Sequence, residues 1–582
     1  SKDPKIFWSY VKSKKGLTRI PGKMAYNDNI LNSPNDIVNA FAMYFQTSYT
    51  SSQNSSSQKF TTGVHSLPIN ISKITDKDIL SALRNIKNSF TAGPDQIPSF
   101  LLRDCAGLFV QPLSIIFNVA LSTGTFPSKW KTSKVTPIFK SGEKSNVSNY
   151  RPISIISNFA KIFEIVLYSH IYFHIQNYIT PQQHGFMSKR STETNLTCFS
   201  QFLSEALDNQ SQVDTVYTDF AKAFDRIDHR LLLLKLESYG FSGKLLELIR
   251  SYLSDRLQYV FYNGFSSFFF KAVSGVPQGS NLGPLLFSVF INDLPDSLNC
   301  HILLYADDAK LFCIINDLND ALQLQEDLHK LTIWCSNNNF FLNISKCKIV
   351  SFGNKKSLIV FDYTINGEHV TRCDVVKDLG IYFDSRLSFR FHIDEVVKHS
   401  LSLLGFIIRQ CRDFTSTEPM KMLFNTYIIS RLQYGCLIWY PIYYCYINVI
   451  ESVQKKFLKY LWFKKYGTYP ARGCDNLILQ REFNIPSLHA RREVSAVMFL
   501  FKIVNYKIDC SELLAKIFFH VPRVNNRHSL PWHLSTARTN ILVKSPINVM
   551  CSNFNNKLRD CDIFNINLKD LKYLALSIFA RE

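Results

Sequence analysis

The sequence predicts an α+β fold, and three observations carry that reading. Helix-like and strand-like segments alternate from about residue 72 to 390, and beyond 390 the pattern turns mainly helical. Within the alternating region, HILLYADDAKLFCII (301–315) sets two apolar runs on either side of the short break ADD, the pattern of a buried hairpin. With 582 residues, 46% of them apolar, the chain exceeds the size at which one core stops growing, so several domains or subdomains are expected.

The elements follow in order. Residues 1–46 read as helices, with FWSYVKSK and DIVNAFAMYF as their apolar-periodic parts. TSYTSSQNSSSQKFTTG (47–63) is serine-rich, nearly devoid of aliphatics, and reads as a flexible linker. KITDKDILSALRNI has helical periodicity with Ser72 or Thr75 as its cap, and TAGPDQIP is a turn-rich break. VTPIFK and RPISII read as short strands flanking the polar loop SGEKSNVSNY, which has Gly142 near its start. In TVYTDFAKAFDRIDHRLLLLKL (215–236), Val216, Thr218 and Phe220 alternate with Tyr217 and Asp219 as in a strand, and the periodic apolar residues that follow read as a helix. HIDEVVKHSLSLLGFIIRQC and STEPMKMLFNTYIISRL continue as helices, and a mixed region begins near 470. No internal repeat is present. The opening SKDPKIFWSYVKSKK lacks the apolar run of a signal peptide and begins on Ser1, which suggests an internal piece of a longer polypeptide.

Composition narrows the function. Lys and Arg total 66 against 46 acidic residues, a net charge of +20, which favours a polyanionic partner, nucleic acid above all; solubility or an anionic membrane surface is the plainer account. QKKFLKYLWFKKYG (454–467) interleaves lysines with aromatics, which suits phosphate contacts beside stacking surfaces and equally suits an amphipathic helix with a solvated Lys face. The 14 cysteines are singletons from Cys105 to Cys561, without a C-x2-C or C-x4-C pair, which argues against zinc knuckles and a disulfide scaffold and for reduced thiols in an intracellular protein. His170 and His174 have the spacing of two metal ligands but no acidic or Cys partner nearby, so helix packing is favoured. LQYGCLIWYPIYYCYINVI (432–450) carries no charge and is long enough to cross a bilayer, yet Gln433, Pro441, Asn448 and five tyrosines favour a buried helix broken by a loop, and no membrane span is expected.

The carboxylates are the chemical signal. Asp219 falls at or near a strand end, where a lone Asp is more often a helix cap than a catalytic group. Asp307 and Asp308 fall at a hairpin tip, where Asp is also a common turn residue. Adjacent unpaired carboxylates near a third would repel and rise in pKa, so something should compensate them. Two Mg²⁺ ions about 3.5–4 Å apart would do so and would serve an in-line phosphoryl transfer. Magnesium needs few protein ligands when a nucleotide supplies phosphates.

Eight motifs follow one another from about 90 to 384: TAGPDQIP, VTPIFKSGEKSNVSNYRPISIIS, QHGFMSKRSTETNL, VYTDFAKAFDRIDH, SGVPQGSNLGPLLFSVFINDLP, YADD, FFLNISKCKIVSF and KDLGIYFD. This ordered set resembles the reverse transcriptases of non-LTR (LINE-type) retrotransposons, most closely the jockey-like group; WSYVKSKK and RLQYGCLIWYP are similar at lower specificity. The resemblance implies a right-hand polymerase. Fingers would span 71–210, a ferredoxin-like antiparallel palm 211–385 and a helical thumb 386–470. Residues 1–70 would form an N-terminal extension with a Ser-rich linker. The basic region 471–582, with RREV, VPRVNNRH and LRD, would bind RNA or DNA or brace the thumb.

It also implies roles for individual residues. Asp219 and Asp307 match metal-binding aspartates that hold two Mg²⁺ ions, with Mn²⁺ as a substitute, and Asp308 supports them. Phe224, five residues after Asp219, matches an aromatic that leaves no room for a ribose 2′-hydroxyl and so favours dNTPs; RNA-dependent RNA polymerases have an Asp at that offset, whereas this chain has one at the next position, Asp225. Gly275, Pro277, Gln278, Gly279 and Gly283 match a segment that holds the template base against the incoming nucleotide, with Gln278 reaching the minor groove or sugar. Lys140 and Arg151 match a triphosphate clamp, and Tyr305 joins the nucleotide-binding set. Lys346 matches a lysine that protonates the leaving pyrophosphate, although Cys347 replaces the usual Thr or Ser and Lys348 competes for the role.

The implied activity is RNA-directed DNA synthesis from element RNA, with a DNA primer at nicked target DNA, in the nucleus after a cytoplasmic ribonucleoprotein stage. An endonuclease would lie upstream of Ser1. Telomerase and group II intron enzymes share the palm but not this string of fingers motifs. A catalytically inactive, transposon-derived nucleic-acid-binding protein is the alternative.

Overall fold

The structure is a computed structural model that describes residues 20–49, 68–69, 71–355, 357–441, 443–521 and 530–579. FWSYVKSK, most of the serine-rich segment and most of VPRVNNRH lie outside the described residues. The fold is mixed α and β, and the chain divides into two compact units, each discontinuous in sequence. One comprises Ser1–Thr180, Phe220–Leu294 and Trp334–Phe341; the other comprises Pro181–Asp219, Pro295–Ile333 and Leu342–Glu582.

The first unit is built on a sheet whose strands are Tyr150–Ile156, Thr132–Phe139, Arg256–Tyr262 and Phe265–Ser266, with Phe270–Ala272 also paired to Arg256–Tyr262. Thr132–Phe139 runs antiparallel to Tyr150–Ile156 and parallel to Arg256–Tyr262, as expected for strands on either side of a polar loop. Alternation buries one face: Val135, Tyr150, Val260 and Phe270 pack with Phe41 and Phe45 of the helix Pro34–Gln46. The polar loop is tied to the N-terminal segment, because Ala25 N donates to Ser145 O at 2.7 Å and Tyr44 Oη donates to Ser148 O at 3.0 Å.

Helix Asp76–Asn85 starts on a capping box of Thr75 and Asp78, which selects Thr75 over Ser72 as the cap. Helix Ala106–Thr123 stacks Phe117 on Phe163 at 4.5 Å. It is long and apolar enough to cross a membrane, and 33% of its apolar window is buried in the protein. After Asp219 the helical pattern starts later than its apolar periodicity suggests. A turn at 221–222 and a short 3-10 helix Ala223–Asp225 come first, and the helix His229–Ser238 begins where Asp228 accepts hydrogen bonds from the backbone N of Arg230 and Leu231.

The second unit holds a five-stranded sheet in the order Thr371–Arg372, Lys348–Phe352, Gln212–Asp219, Asp308–Ile315, His301–Tyr305. All its pairings are antiparallel except that between Lys348–Phe352 and Thr371–Arg372. Helix Thr192–Asp208, opened by a Ser191/Thr194 capping box, packs Phe199 against Phe312, Phe352 and Phe383 at centroid distances of 5.2, 5.9 and 5.5 Å.

Beyond 390 the described chain is helical, including Arg390–Gln410, Tyr444–Tyr466, Leu488–Val504 and Pro546–Lys557; after 470 the expected mixture reduces to helices and one bridge between Phe519 and Trp532. The uncharged run 432–450 is broken as expected, with one helix ending at Gln433 and the next starting at Tyr444 after Pro441. Inside that break Trp439 is fully buried and its indole N–H donates to Tyr434 O at 2.9 Å. All 14 cysteines are free thiols, and Cys198 and Cys510 bring their Sγ atoms to 3.3 Å.

Trp439→Ala is expected to lower the unfolding free energy by about 3–5 kcal/mol, since it leaves a large cavity and an unpaired Tyr434 carbonyl; urea unfolding checks this.

Candidate active site

The acidic residues gather at one end of the second unit's sheet. Asp219 is the last residue of the central strand and Asp308 the first of its neighbour, and the antiparallel register sets them directly opposite one another. On its other side Asp308 pairs with Tyr305, so Ala306 and Asp307 form a two-residue hairpin loop. Ala306 adopts φ +57°, a left-handed conformation that costs a residue with a Cβ about 1 kcal/mol.

A neighbouring segment holds that conformation. Oε1 of Gln183, a fully buried side chain, accepts from Ala306 N at 3.0 Å and from Gly185 N at 2.8 Å. His184 N and Asn195 Nδ2 both donate to Leu304 O, at 2.9 and 3.1 Å. Gly185 approaches so closely that a Cβ there would sit 2.3 Å from Ala306 N. The sequence marks these residues only as part of QHGF; their role lies in contacts more than a hundred positions away in the chain.

Charge is concentrated at this edge. Burial pushes the Asp308 carboxyl up to about 6, and the charges of Asp307, Asp378 and Asp219 add to the rise. Lys346 Nζ lies 3.1 Å from Asp219 Oδ2, with both side chains partly exposed. Lys310, wholly buried, pairs with Asp378 Oδ2 at 2.5 Å, and burial lowers its pKa. Asp219, Asp308, Lys310, Lys346 and Asp378, with Tyr305 and Lys348, line a cavity of about 420 Å³, and Asp307 is not among its lining residues. Lys346 therefore reaches Asp219, while Lys348 contributes to the wall of the same cavity.

Among the described residues no three His, Cys, Asp or Glu side chains form a ready-made metal cage. His170 faces Asp78, with Nε2 3.6 Å from Oδ2, rather than joining a ligand cluster. The donor set at the edge is of the hard-oxygen kind that divalent cations take: burial, then the neighbouring carboxylates, raise Asp308, and the Lys346 ammonium serves Asp219 as counter-charge.

The remaining residues singled out in the sequence belong to the first unit. Ile138 pairs with Arg151 and Phe139 with Tyr150, so Lys140 and Arg151 stand on the two arms of one hairpin near its loop, both exposed. Phe224 follows a left-handed Lys222 (φ +54°) and stacks on Phe287 at 4.5 Å and 17°. Gln278 donates through Nε2 to Asp225 Oδ1 at 2.7 Å, and its backbone carbonyl accepts from Ser154 N at 2.8 Å. Gly279 has φ +119°, and a Cβ there would come within 2.6 Å of Ser154 O, so this position needs glycine to lie against the Tyr150–Ile156 strand.

Asp225, noticed in the sequence only as the acid one place beyond the aromatic, is 5% exposed. Burial raises its carboxyl to about 6, against the lowering influence of the Gln278 hydrogen bond and the charges of Lys222 and Arg226. Spacing alone gives no sign of this, because its partner lies 53 positions away.

A model of the reverse transcriptase (RNA-dependent DNA polymerase) family matches residues 140–408. The chain is 28% identical over 409 residues to the RNA-directed DNA polymerase from mobile element jockey of Drosophila melanogaster, an alignment covering 68% of this chain and 44% of that protein. It is 27% identical over 441 residues to the probable RNA-directed DNA polymerase from transposon BS of the same species, covering 72% and 48%. A retrovirus-related Pol polyprotein from the type-2 retrotransposable element R2DM, also of that species, is 24% identical over 333 residues, covering 55% and 29%. The chain thus spans less than half the length of each of these relatives.

Two expectations follow from the geometry. Gly185→Ala should destabilise the protein by about 1–3 kcal/mol in urea unfolding, because its Cβ meets backbone rather than a movable side chain. For Asp225, the folded state binds the carboxyl proton more tightly than the unfolded chain does, so its contribution to stability is lost as pH rises from about 4 through about 6. Asp225→Asn should therefore gain stability relative to the wild type across that window, as read by unfolding at pH 4.5 and 6.5.

Proposed function

We propose that the chain is an RNA-directed DNA polymerase that copies element RNA into cDNA, a reading supported by the reverse transcriptase family model that matches residues 140–408 and by similarity to the polymerases of jockey and transposon BS. The observation that carries the proposal is the pairing of Asp219 with Asp308 at a sheet edge, with Asp307 in the braced hairpin loop beside them. On this reading 71–210 act as fingers, 211–385 as a palm and 386–470 as a thumb. The basic segment 471–582 contacts RNA or DNA.

Asp219 and Asp307, with Asp308 in support, would hold two Mg²⁺ ions, or Mn²⁺ in their place, and such ions activate an attacking hydroxyl and stabilise a leaving oxygen in phosphoryl transfer. The chain's own residues supply the rest. Lys140 and Arg151 bind the triphosphate of the incoming nucleotide, Arg151 through its planar fork. Phe224 bars a ribose 2′-hydroxyl, and the stack on Phe287 keeps its ring from yielding. Gln278 and Gly279 border the template base and sugar, and Tyr305 stands beside Asp308 in the strand pairing. Lys346 carries at Nζ the proton that the departing pyrophosphate takes up. Template RNA, a DNA primer at a nicked target and dNTPs are the proposed partners. An endonuclease from the longer protein would make the nick, and the nucleus would be the site of action after a cytoplasmic ribonucleoprotein stage.

Primer extension on a primed RNA of mixed sequence, with Mg²⁺, tests this reading. Wild type is expected to make DNA product, and Asp307→Ala none above background. Phe224→Ala should raise the use of rNTPs relative to dNTPs by roughly tenfold or more, the scale of a steric pocket contact. RNA binding with steep salt dependence but no product under Mg²⁺ or Mn²⁺ would identify a nucleic-acid-binding protein instead.

A further inference from the structure

The segment 274–278 is zipped to the turn 224–227 by four hydrogen bonds within the first unit. Ser274 Oγ donates to Asp225 O at 2.6 Å, Gly275 N to Ile227 O at 2.8 Å and Val276 N to Phe224 O at 2.8 Å. The fourth, from Gln278 Nε2 to Asp225 Oδ1 at 2.7 Å, alone uses the Asp225 side chain. The first three fix where the backbone of this loop lies. The fourth fixes which way one amide faces.

A glutamine amide turned by half a rotation has nearly the same shape with donor and acceptor exchanged, so its orientation must be set by a partner. A carboxylate can only accept, and it therefore holds the NH₂ group and leaves the carbonyl oxygen facing away. Asparagine at 225 would offer both a donor and an acceptor and would permit either orientation. Asp225 is 5% exposed while Gln278 is only partly buried, so the held NH₂ is on the inner side. Holding an ionised carboxylate at such a site costs the fold stability, which a role in packing alone leaves unexplained.

We propose that Asp225 is a positioning residue that locks the Gln278 amide with its NH₂ inward, so that this loop presents a hydrogen-bond acceptor, and not a donor, to the incoming nucleotide. The inference rests on the reading of Gln278 as a nucleotide-binding residue in a working polymerase. It adds a residue that reaches no substrate itself.

The experiment is a double-mutant cycle in steady-state primer extension, with Asp225→Ala, Asp225→Asn and Gln278→Met made singly and combined in the full chain. Asp225→Ala is expected to raise KM for dNTPs about tenfold, the scale of one charge-assisted hydrogen bond, with kcat changed less than about twofold. Asp225→Asn should raise KM by a smaller factor, since half of its orientations remain productive. Neither should raise KM further in the Gln278→Met background. A merely structural role would lower the active fraction, hence kcat, and leave KM alone. Should the alanine variant not fold, the cycle with Asp225→Asn, equal in volume, decides the matter. An equal effect of the Asp225 substitutions on KM with Gln278 intact and in the Gln278→Met background, or a fall confined to kcat, would overturn the inference while leaving the polymerase reading intact. A wild-type chain that makes no product would overturn both.

Discussion

Two aspartates held opposite each other on adjacent strands repel, and the second unit's sheet is arranged so that they cannot move apart. Asp219 and Asp308 are fixed by a register that continues through eight paired positions into a buried core. A slip of one residue would turn every side chain of the strand to the other face and take Lys310, Leu311 and Phe312, all buried, out of the packing each now has. The apolar residues on either side of YADD therefore do more than fill space. Their burial resists the electrostatic repulsion at the strand ends.

Other buried charges surround that pair. Lys310 sits two positions beyond Asp308 in the same strand and is paired with Asp378. Such a pair contributes little net stability, because desolvation offsets the attraction, but losing one partner would leave a charge stranded in the core. Cationic side chains thus lie at two depths, Lys310 buried against Asp378 and Lys346 at the exposed rim against Asp219. Asp225 and Gln278 show a similar division in the first unit, where main-chain hydrogen bonds place the loop and one buried carboxylate orients a side chain.

Much of this was legible in the sequence because it is local. HILLY and AKLFCII announce a hairpin by two apolar runs of strand length, and the cap of the helix Asp76–Asn85 was narrowed to Ser72 or Thr75, of which the structure uses Thr75. The break at Pro441 follows from the chemistry of proline. What was not legible depends on distant partners. Gln183 and Gly185 act on a loop about 120 residues away, and Asp225 on a glutamine 53 residues away. The delayed helix start at His229 was obscured for a different reason, since Phe220, Ala223 and Ile227 are buried in a turn and a short 3-10 helix and mimic helical spacing. The interleaving of two units from six chain segments leaves no mark in composition.

The left-handed Ala306 separates two quantities that usually travel together. Glycine at this position would relieve the strain at φ +57° and relax the hairpin loop, yet it would also widen the range of conformations open to Asp307. A Cβ held in an unfavoured region by Gln183 leaves the loop one conformation and no neighbouring well to enter. At residue 306, then, stiffness is obtained at the expense of stability, and a substitution that made the protein more resistant to heat would make its acidic tip less well defined.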